Sequence, residues 1–275
     1  DIKPVGGKGV KEEKGVKNEV AKLFIGTEFS RPDGSSYYLS QERFVTELAS
    51  RAGVVKDGAK YPKTPLPGVL PTELDCWDDK LGKNPYAREY MSLQGGLVWA
   101  ARMTRRDVSF AASYLATYQS KPGLKHLEAL KYTIAYLYGT KELGLTYRLG
   151  TGDIVFVHCD ASWNESHTVA GCKCMGGFCV HQYGLIGCHC GRQPTVALST
   201  QEAELNEVVN AGKYLVWLKG FMEELNCPID DVRLFEDNNP VVLAANNYGS
   251  KHSRLKHVLR KVYKVHEWIV RKTFV

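Results

Sequence analysis

The sequence predicts an α/β protein of the α+β type, with a mixed sheet flanked by helices in its second half and a smaller hairpin-plus-helices domain before it. β-branched and alternating runs mark the second half, whereas helical periodicity dominates residues 86–138. A chain of 275 residues with 44% hydrophobic residues can bury one or two cores. We therefore divide the sequence into a charged tail at 1–20, a first domain at 21–150 and a second domain at 151–275.

The first domain begins with strand and turn signals. Residues 21–29 alternate enough for a strand, and residues 31–34 (Arg-Pro-Asp-Gly) are strong turn formers before a second strand at 37–39. We expect Ser40 to cap a helix that runs over residues 41–52. A proline-rich connection then leads to the helical residues 86–138, which are interrupted near residues 104–107.

The second domain follows the order β-β-β-α-β-α-α. Ser199 is the expected cap of its first helix, because serine favours that position. The predicted strands cover 154–159, 171–181, 183–190 and 232–235, and the predicted helices follow Ser199 and cover 240–247 and 254–271. Such an order predicts a mixed sheet with helices packed on its faces.

Three acids lie at the ends of these elements: Asp160 after the first strand, Glu204 one turn into the first long helix, and Asp237 after the fourth strand. Strand ends at one edge of a sheet present side chains to a common point. Carboxylates that meet there need a cation, and Mg²⁺ prefers oxygen ligands. Two such ions would activate a water and stabilise the leaving oxygen of a phosphodiester. Ordinary turn chemistry and a solvated face at Glu202, Glu204 and Glu207 remain open alternatives.

The positive charge is concentrated near the carboxyl end. The chain has a net charge of +6, and residues 251–272 alone carry eight Lys or Arg and one acid. Residues of this segment could contact nucleic-acid phosphates, or form a solvated face of a helix whose valines pack inward. The candidate phosphate contacts are Lys251, Arg254, Lys256, Arg260, Lys261 and Lys264.

Cysteines cluster in the predicted second and third strands. The spacing of two places Cys172 and Cys174 on one face of a strand, and Cys188 and Cys190 on one face of the next. Four sulfurs that met across paired strands could bind zinc. We favour packed core thiols, because structural zinc ligands usually lie on turns and buried free cysteine is common.

Several strings, in this order, resemble the C-terminal part of the Pol polyprotein of copia-type LTR retrotransposons. The strings similar to the end of the reverse transcriptase palm, the thumb and the connection include LFIG at 23–26, YLSQ at 38–41 and KTPLP at 63–67. Those similar to the RNase H domain are CDASW at 159–163, RQPTVALSTQEAEL at 192–205, EDNN at 236–239 and HSRLKH at 252–257.

The resemblance implies an RNase H-like domain at 151–275 that hydrolyses the RNA strand of RNA–DNA hybrids. It implies that Asp160, Glu204 and Asp237 hold Mg²⁺ or Mn²⁺, and that the partner is a hybrid or a structured RNA. No polymerase activity is expected, because the Asp-Asp motif of the family would precede residue 1. The family's final strand and helix, which bears a fourth carboxylate, would follow residue 275, so cleavage is expected to be weak or absent.

A non-catalytic, retroelement-derived subunit of a larger, RNA-containing assembly is the alternative. The Lys/Glu/Gly-rich residues 1–20 predict a solvated tail, which other protein chains would hold in place. No run of about 18 apolar residues suggests a membrane span. We expect an intracellular protein, cytoplasmic if it is a retrotransposon product and organellar if it belongs to a host assembly.

Overall fold

The structure, a computed structural model, is described for residues 22–32, 35–148, 150, 154–162, 173–247 and 258–275. Several sequence predictions fall outside these residues. They concern the tail at 1–20, Cys172, and the basic residues Lys251, Arg254 and Lys256. The described residues form the predicted mixture of helices, one antiparallel sheet and one mixed sheet.

An antiparallel sheet and a group of helices make up the first half. The strands are β1 (Lys22–Phe24), β2 (Thr27–Ser30), β3 (Ser36–Ser40) and β4 (Leu145–Arg148), and the helices are α1 (Glu42–Arg51), α2 (Ala87–Met103), α3 (Ser109–Ala116) and α4 (Leu124–Gly139). The order of the strands in the sheet is β1-β2-β3-β4, so β4 pairs with β3 and extends the predicted hairpin. The expected cap at Ser40 is wrong: Ser40 ends β3, its Oγ donates to Glu28, and Gln41 precedes α1 without a side-chain cap.

A buried arginine stabilises the interruption between α2 and α3. Arg105 is 1% exposed, and its guanidinium forms a 2.7 Å ion pair with Asp107. The same group donates hydrogen bonds to the backbone oxygens of Leu137 and Thr140 at the end of α4. Carbonyls at the end of a helix lack partners within the helix. Arg105 therefore satisfies these carbonyls and fixes the bend against α4.

The second half contains the mixed sheet. Its strands are β5 (Val155–Ser162), β6 (Met175–His181), β7 (Leu185–Arg192) and β8 (Val232–Phe235), and its helices are α5 (Thr200–Glu224), α6 (Asn239–Asn246) and α7 (Leu259–Val270). The order is β7-β6-β5-β8, with β5 and β8 parallel and the other pairs antiparallel. As predicted, Ser199 caps α5, because its side chain accepts a hydrogen bond from the N–H of Glu202.

The parallel pair β5–β8 determines where the acids lie. Parallel strands point their carboxyl ends to the same edge of a sheet, so the residues at the ends of β5 and β8 become neighbours. Beyond β8, Val275 donates to the oxygen of Val232 and accepts from the N–H of Leu234. This residue therefore lies along the second edge of β8, parallel to it.

The contact between α5 and α7 depends on Gly212. A Cβ added there would lie 2.4 Å from the ring of Trp268, which is itself buried. We expect Gly212→Ala to lower the free energy of unfolding by about 1–3 kcal/mol through overpacking. Gly220 on the same helix has no heavy atom within 4 Å of such a Cβ. Gly220→Ala should instead raise stability by about 0.5–1 kcal/mol, because alanine favours helix. Urea unfolding of both variants tests this, and shifts of the same sign would contradict it.

None of the described helices combines the length and the apolar character that a membrane-spanning helix needs.

Candidate metal centre

The structure brings the three predicted acids together. Asp160 lies near the end of β5, Asp237 lies two residues beyond the end of β8, and Glu204 projects from the beginning of α5. Each offers one carboxylate oxygen, and these three oxygens lie within 4.8 Å of one another. Asp160 and Asp237 are exposed, whereas Glu204 is 5% exposed. The cluster is therefore a shallow site with a buried base and an open rim.

The buried member of the cluster is electrostatically strained. Its Oε2 is buried and has no hydrogen-bond partner among the described residues. Burial, together with the neighbouring carboxyls of Glu236 and Asp160, raises the pKa of the Glu204 carboxyl to about 8. An unpaired buried carboxylate is costly. Glu204 therefore holds a proton at neutral pH unless a cation replaces it.

These three side chains fit a hard divalent cation. Their ligand atoms are all oxygens, which Mg²⁺ and Mn²⁺ accept. Mg²⁺ binds oxygens at about 2.0–2.1 Å, so that oxygens on opposite sides of the ion are about 4.2 Å apart. The observed span of at most 4.8 Å needs only a small contraction. The open rim at Asp160 and Asp237 leaves room for water and for a phosphate oxygen.

Glu236 is a fourth acid beside the site that the sequence interpretation missed. Its Oε1 accepts from the N–H of Asn238 at 3.1 Å, and its buried Oε2 has no partner among the described residues. Burial raises the pKa of Glu236 to about 7, with further contributions from Asp237 and Asp160. The signal was present in the sequence, because alternation along β8 places residue 236 on the same face as Val232.

Comparison with known proteins gives relatives over most of the chain. The retrovirus-related Pol polyprotein from transposon TNT 1-94 of Nicotiana tabacum is 28% identical over 240 residues, which cover 84% of this chain and 17% of that protein. Those from transposons RE1 and RE2 of Arabidopsis thaliana are 29% and 28% identical over 253 and 254 residues, each match covering 88% of this chain and 16% of the relative. This chain is a homologue of copia-type Pol polyproteins. The resemblance seen in the sequence motifs is thereby confirmed.

The copia-type homologue spans about a sixth of the length of these Pol relatives. No protein-family model matches it. The match therefore relates this chain to one part of those proteins.

A buried amide network holds the first turns of α5 in this Pol homologue. The side-chain NH₂ of Gln193 donates to the backbone oxygen of Ala203 at 2.8 Å and to Glu207 at 2.9 Å. Its side-chain oxygen accepts from Asn206. The acids at 202, 204 and 207 are all buried, so the alternative of a solvated helix face is wrong for them. Through its hydrogen bonds to Ala203, Asn206 and Glu207, Gln193 fixes the part of α5 from which Glu204 projects.

The described basic residues of α7 differ in what they contact. Arg260 is exposed. Lys261 donates to Asn206 Oδ1 at 2.6 Å, which joins α7 to the amide network. Lys264 pairs with Glu267 at 2.9 Å and lies over the ring of Trp268. Arg260 is therefore the described residue of the predicted set that best suits a phosphate contact.

The described cysteines do not form the four-sulfur cluster that was weighed as the alternative to packed core thiols, and Cys172 lies outside the described residues. Cys174 is buried in a small apolar cluster that includes Ala203 of α5. Cys179 pairs directly with Cys188 in the β6–β7 register, so these two share the opposite face of the sheet. Cys190 lies on that face too, two residues from Cys188. Cys174 is separated from the other sulfurs by the sheet itself and packs as a core thiol.

Proposed function

We propose that the chain carries an RNase H-like, divalent-cation-dependent site that hydrolyses the RNA strand of RNA–DNA hybrids. The main support is the convergence of Asp160, Glu204 and Asp237, whose ligand oxygens lie within 4.8 Å of one another. The homology to copia-type Pol polyproteins supports the same conclusion. The Pol relatives are much longer than this chain, so substrate and partners belong to the proposal.

Each acid has a distinct part in this proposal. Glu204 anchors the cation from the buried side, where its Oε2 has no other partner among the described residues. Asp160 and Asp237 hold it at the exposed rim, within reach of water and substrate. Bound Mg²⁺ or Mn²⁺ supplies an activated water and stabilises charge on the leaving oxygen. Glu236, whose pKa is raised to about 7, adds negative charge next to the site when it is ionised and so strengthens its attraction for cations.

Hydrolysis of an end-labelled RNA–DNA hybrid tests this function. We expect cleavage of the RNA strand with Mg²⁺ or Mn²⁺, and none when EDTA is present. The same RNA as a single strand or in an RNA–RNA duplex should be cut at a much lower rate, because hybrid recognition depends on helix shape and 2′-hydroxyl contacts. Binding without cation-dependent cleavage would contradict the proposal and favour a non-catalytic RNA-binding subunit.

We expect Arg260→Ala to weaken hybrid binding in a salt-dependent way. An arginine that neutralises one phosphate releases about one counterion, so its loss should reduce the slope of log K against log salt by about 0.7–0.9. Lys261→Met is the matched control on the same helix, because its ammonium group already donates to Asn206. Lys261→Met should lower stability and leave the salt slope unchanged. Fluorescence anisotropy across a salt series measures both, and an unchanged slope for Arg260→Ala would remove this residue from the interface.

A further inference from the structure

Two cysteines face each other directly across neighbouring strands. Cys179 of β6 and Cys188 of β7 are paired in the antiparallel register, and their sulfurs are 3.4 Å apart. Paired residues of antiparallel strands have Cα atoms about 4.5–5.5 Å apart, which falls within the range that disulfides span. A sulfur–sulfur bond therefore needs side-chain rotation and no movement of the strands.

The surroundings activate one of the two sulfurs. The Cys179 thiol donates to Cys188, and this hydrogen bond lowers the pKa of Cys188; the positive charge of Arg106 and a hydrogen bond from Ser109 act in the same direction. The same contact raises the pKa of Cys179. Thiolates are the nucleophilic form of cysteine. Cys188 is thus the attacking sulfur, and Cys179 supplies a second thiol within contact distance.

Cys190 provides a natural comparison on the same strand and face. Burial raises the pKa of Cys190 to about 11, and the residue that faces it on β6 is Gly177, which has no side chain. The backbone oxygen of Cys190 accepts a hydrogen bond from Ser113 of α3 at 2.6 Å. Cys190 therefore lacks both the activation and the facing thiol that Cys188 has.

We infer that Cys179 and Cys188 form an oxidisable dithiol, which hydrogen peroxide or a similar two-electron oxidant converts to a cross-strand disulfide. The Cys188 thiolate attacks one peroxide oxygen, the O–O bond breaks, and the departing hydroxide takes up a proton to become water. Cys179 then attacks the sulfur of the resulting sulfenic acid; the S–S bond forms, the S–O bond breaks, and the Cys179 proton leaves with the hydroxide as a second water. Two thiols lose two electrons, and one peroxide becomes two waters.

The Cys179–Cys188 disulfide would remove the negative charge of the Cys188 thiolate beneath α3. Arg106 and Ser109 face the Cys188 sulfur, and a disulfide sulfur is neutral. This inference is independent of the proposed hydrolysis, because α5 and the acids at 160, 204 and 237 take no part in it.

Mapping the oxidised bond by mass spectrometry tests the inference. The full chain is treated with a small excess of hydrogen peroxide, free thiols are alkylated under denaturing conditions, and the protein is digested with chymotrypsin, which cuts after Tyr183 between the two cysteines. We expect a linked pair of peptides that carries Cys179 and Cys188 and lacks two hydrogens. Dithiothreitol should separate them.

Three variants decide whether this pairing is specific. The link should persist in Cys190→Ser and disappear in Cys188→Ser and in Cys179→Ser. A Cys188–Cys190 bond in the wild type, or peroxide-treated wild type without the link, would overturn the inference. Fragmentation of the linked wild-type peptides distinguishes Cys188 from Cys190 as the partner of Cys179, so the assignment also holds where a variant fails to fold.

Discussion

Glu204→Gln is expected to stabilise the cation-free protein at pH 8 while removing its cation binding. The pKa of Glu204 is raised to about 8 from an ordinary value of 4.5, with burial as the largest cause. Between these two pH values the folded chain holds a proton that the unfolded chain has released. The free energy of unfolding therefore falls as pH rises through this window. Glutamine cannot ionise, so the variant should lack this loss, which we expect to be on the order of 2 kcal/mol.

Urea unfolding between pH 5 and pH 8 in EDTA, and again with excess Mg²⁺, measures this effect. Wild type should lose stability with rising pH in EDTA and regain it with Mg²⁺, because a ligand that binds only the folded state stabilises it. Glu204→Gln should be insensitive to Mg²⁺ and have a flatter pH profile. Glu224→Gln, at the exposed end of the same helix, is the control and should follow wild type. A variant that is less stable than wild type at pH 8 in EDTA would contradict the expected sign.

Asp160→Asn is expected to lower hybrid hydrolysis by at least about 100-fold without a loss of stability. Asp160 is exposed and contributes one of the three converging oxygens, so its amide keeps the shape of the side chain but removes an anionic ligand. Substitution of a residue that contacts a metal ligand, and not the metal itself, typically costs about 10–100-fold in metal affinity or activity. The loss of a direct ligand should therefore cost more. The variant also relieves part of the repulsion on Glu204.

Glu236→Gln gives the comparison for this effect. Glu236 lies beside the site but outside the group of three converging oxygens. We expect a loss of about tenfold or less in initial cleavage rate for this variant. Equal rates for wild type and Asp160→Asn would exclude the carboxylate site as the source of the activity.

The positions of the acids could be predicted because local signals determine them. The sequence patterns predict strands at 154–159 and 232–235, which correspond to β5 and β8. They also predict the cap at Ser199, which begins α5. Because β5 and β8 are parallel neighbours, their carboxyl ends meet at the same edge of the sheet, and Asp160 and Asp237 lie close together there. Glu236, the residue directly after β8, was not among the predicted acids, although the alternation along the strand places it on the same face as Val232.

Contacts between residues distant in sequence could not be predicted. The pairing of β3 with β4 joins residues such as Tyr37 and Tyr147, and no local pattern specifies it. The bond from Lys261 to Asn206 depends on how α7 packs on α5. Which face of the sheet each cysteine occupies depends on the β6–β7 register, because a slip of one residue would move the side chains to the opposite face.

Titration of the wild-type chain and of Asp160→Asn with Mn²⁺ at pH 8, followed by the electron paramagnetic resonance signal of the free ion, is the most direct measurement of the proposed site. We predict saturable binding to wild type, competition by Mg²⁺ and loss of that binding in Asp160→Asn. Equal uptake of Mn²⁺ by the two proteins would show that Asp160, Glu204 and Asp237 do not form a cation site.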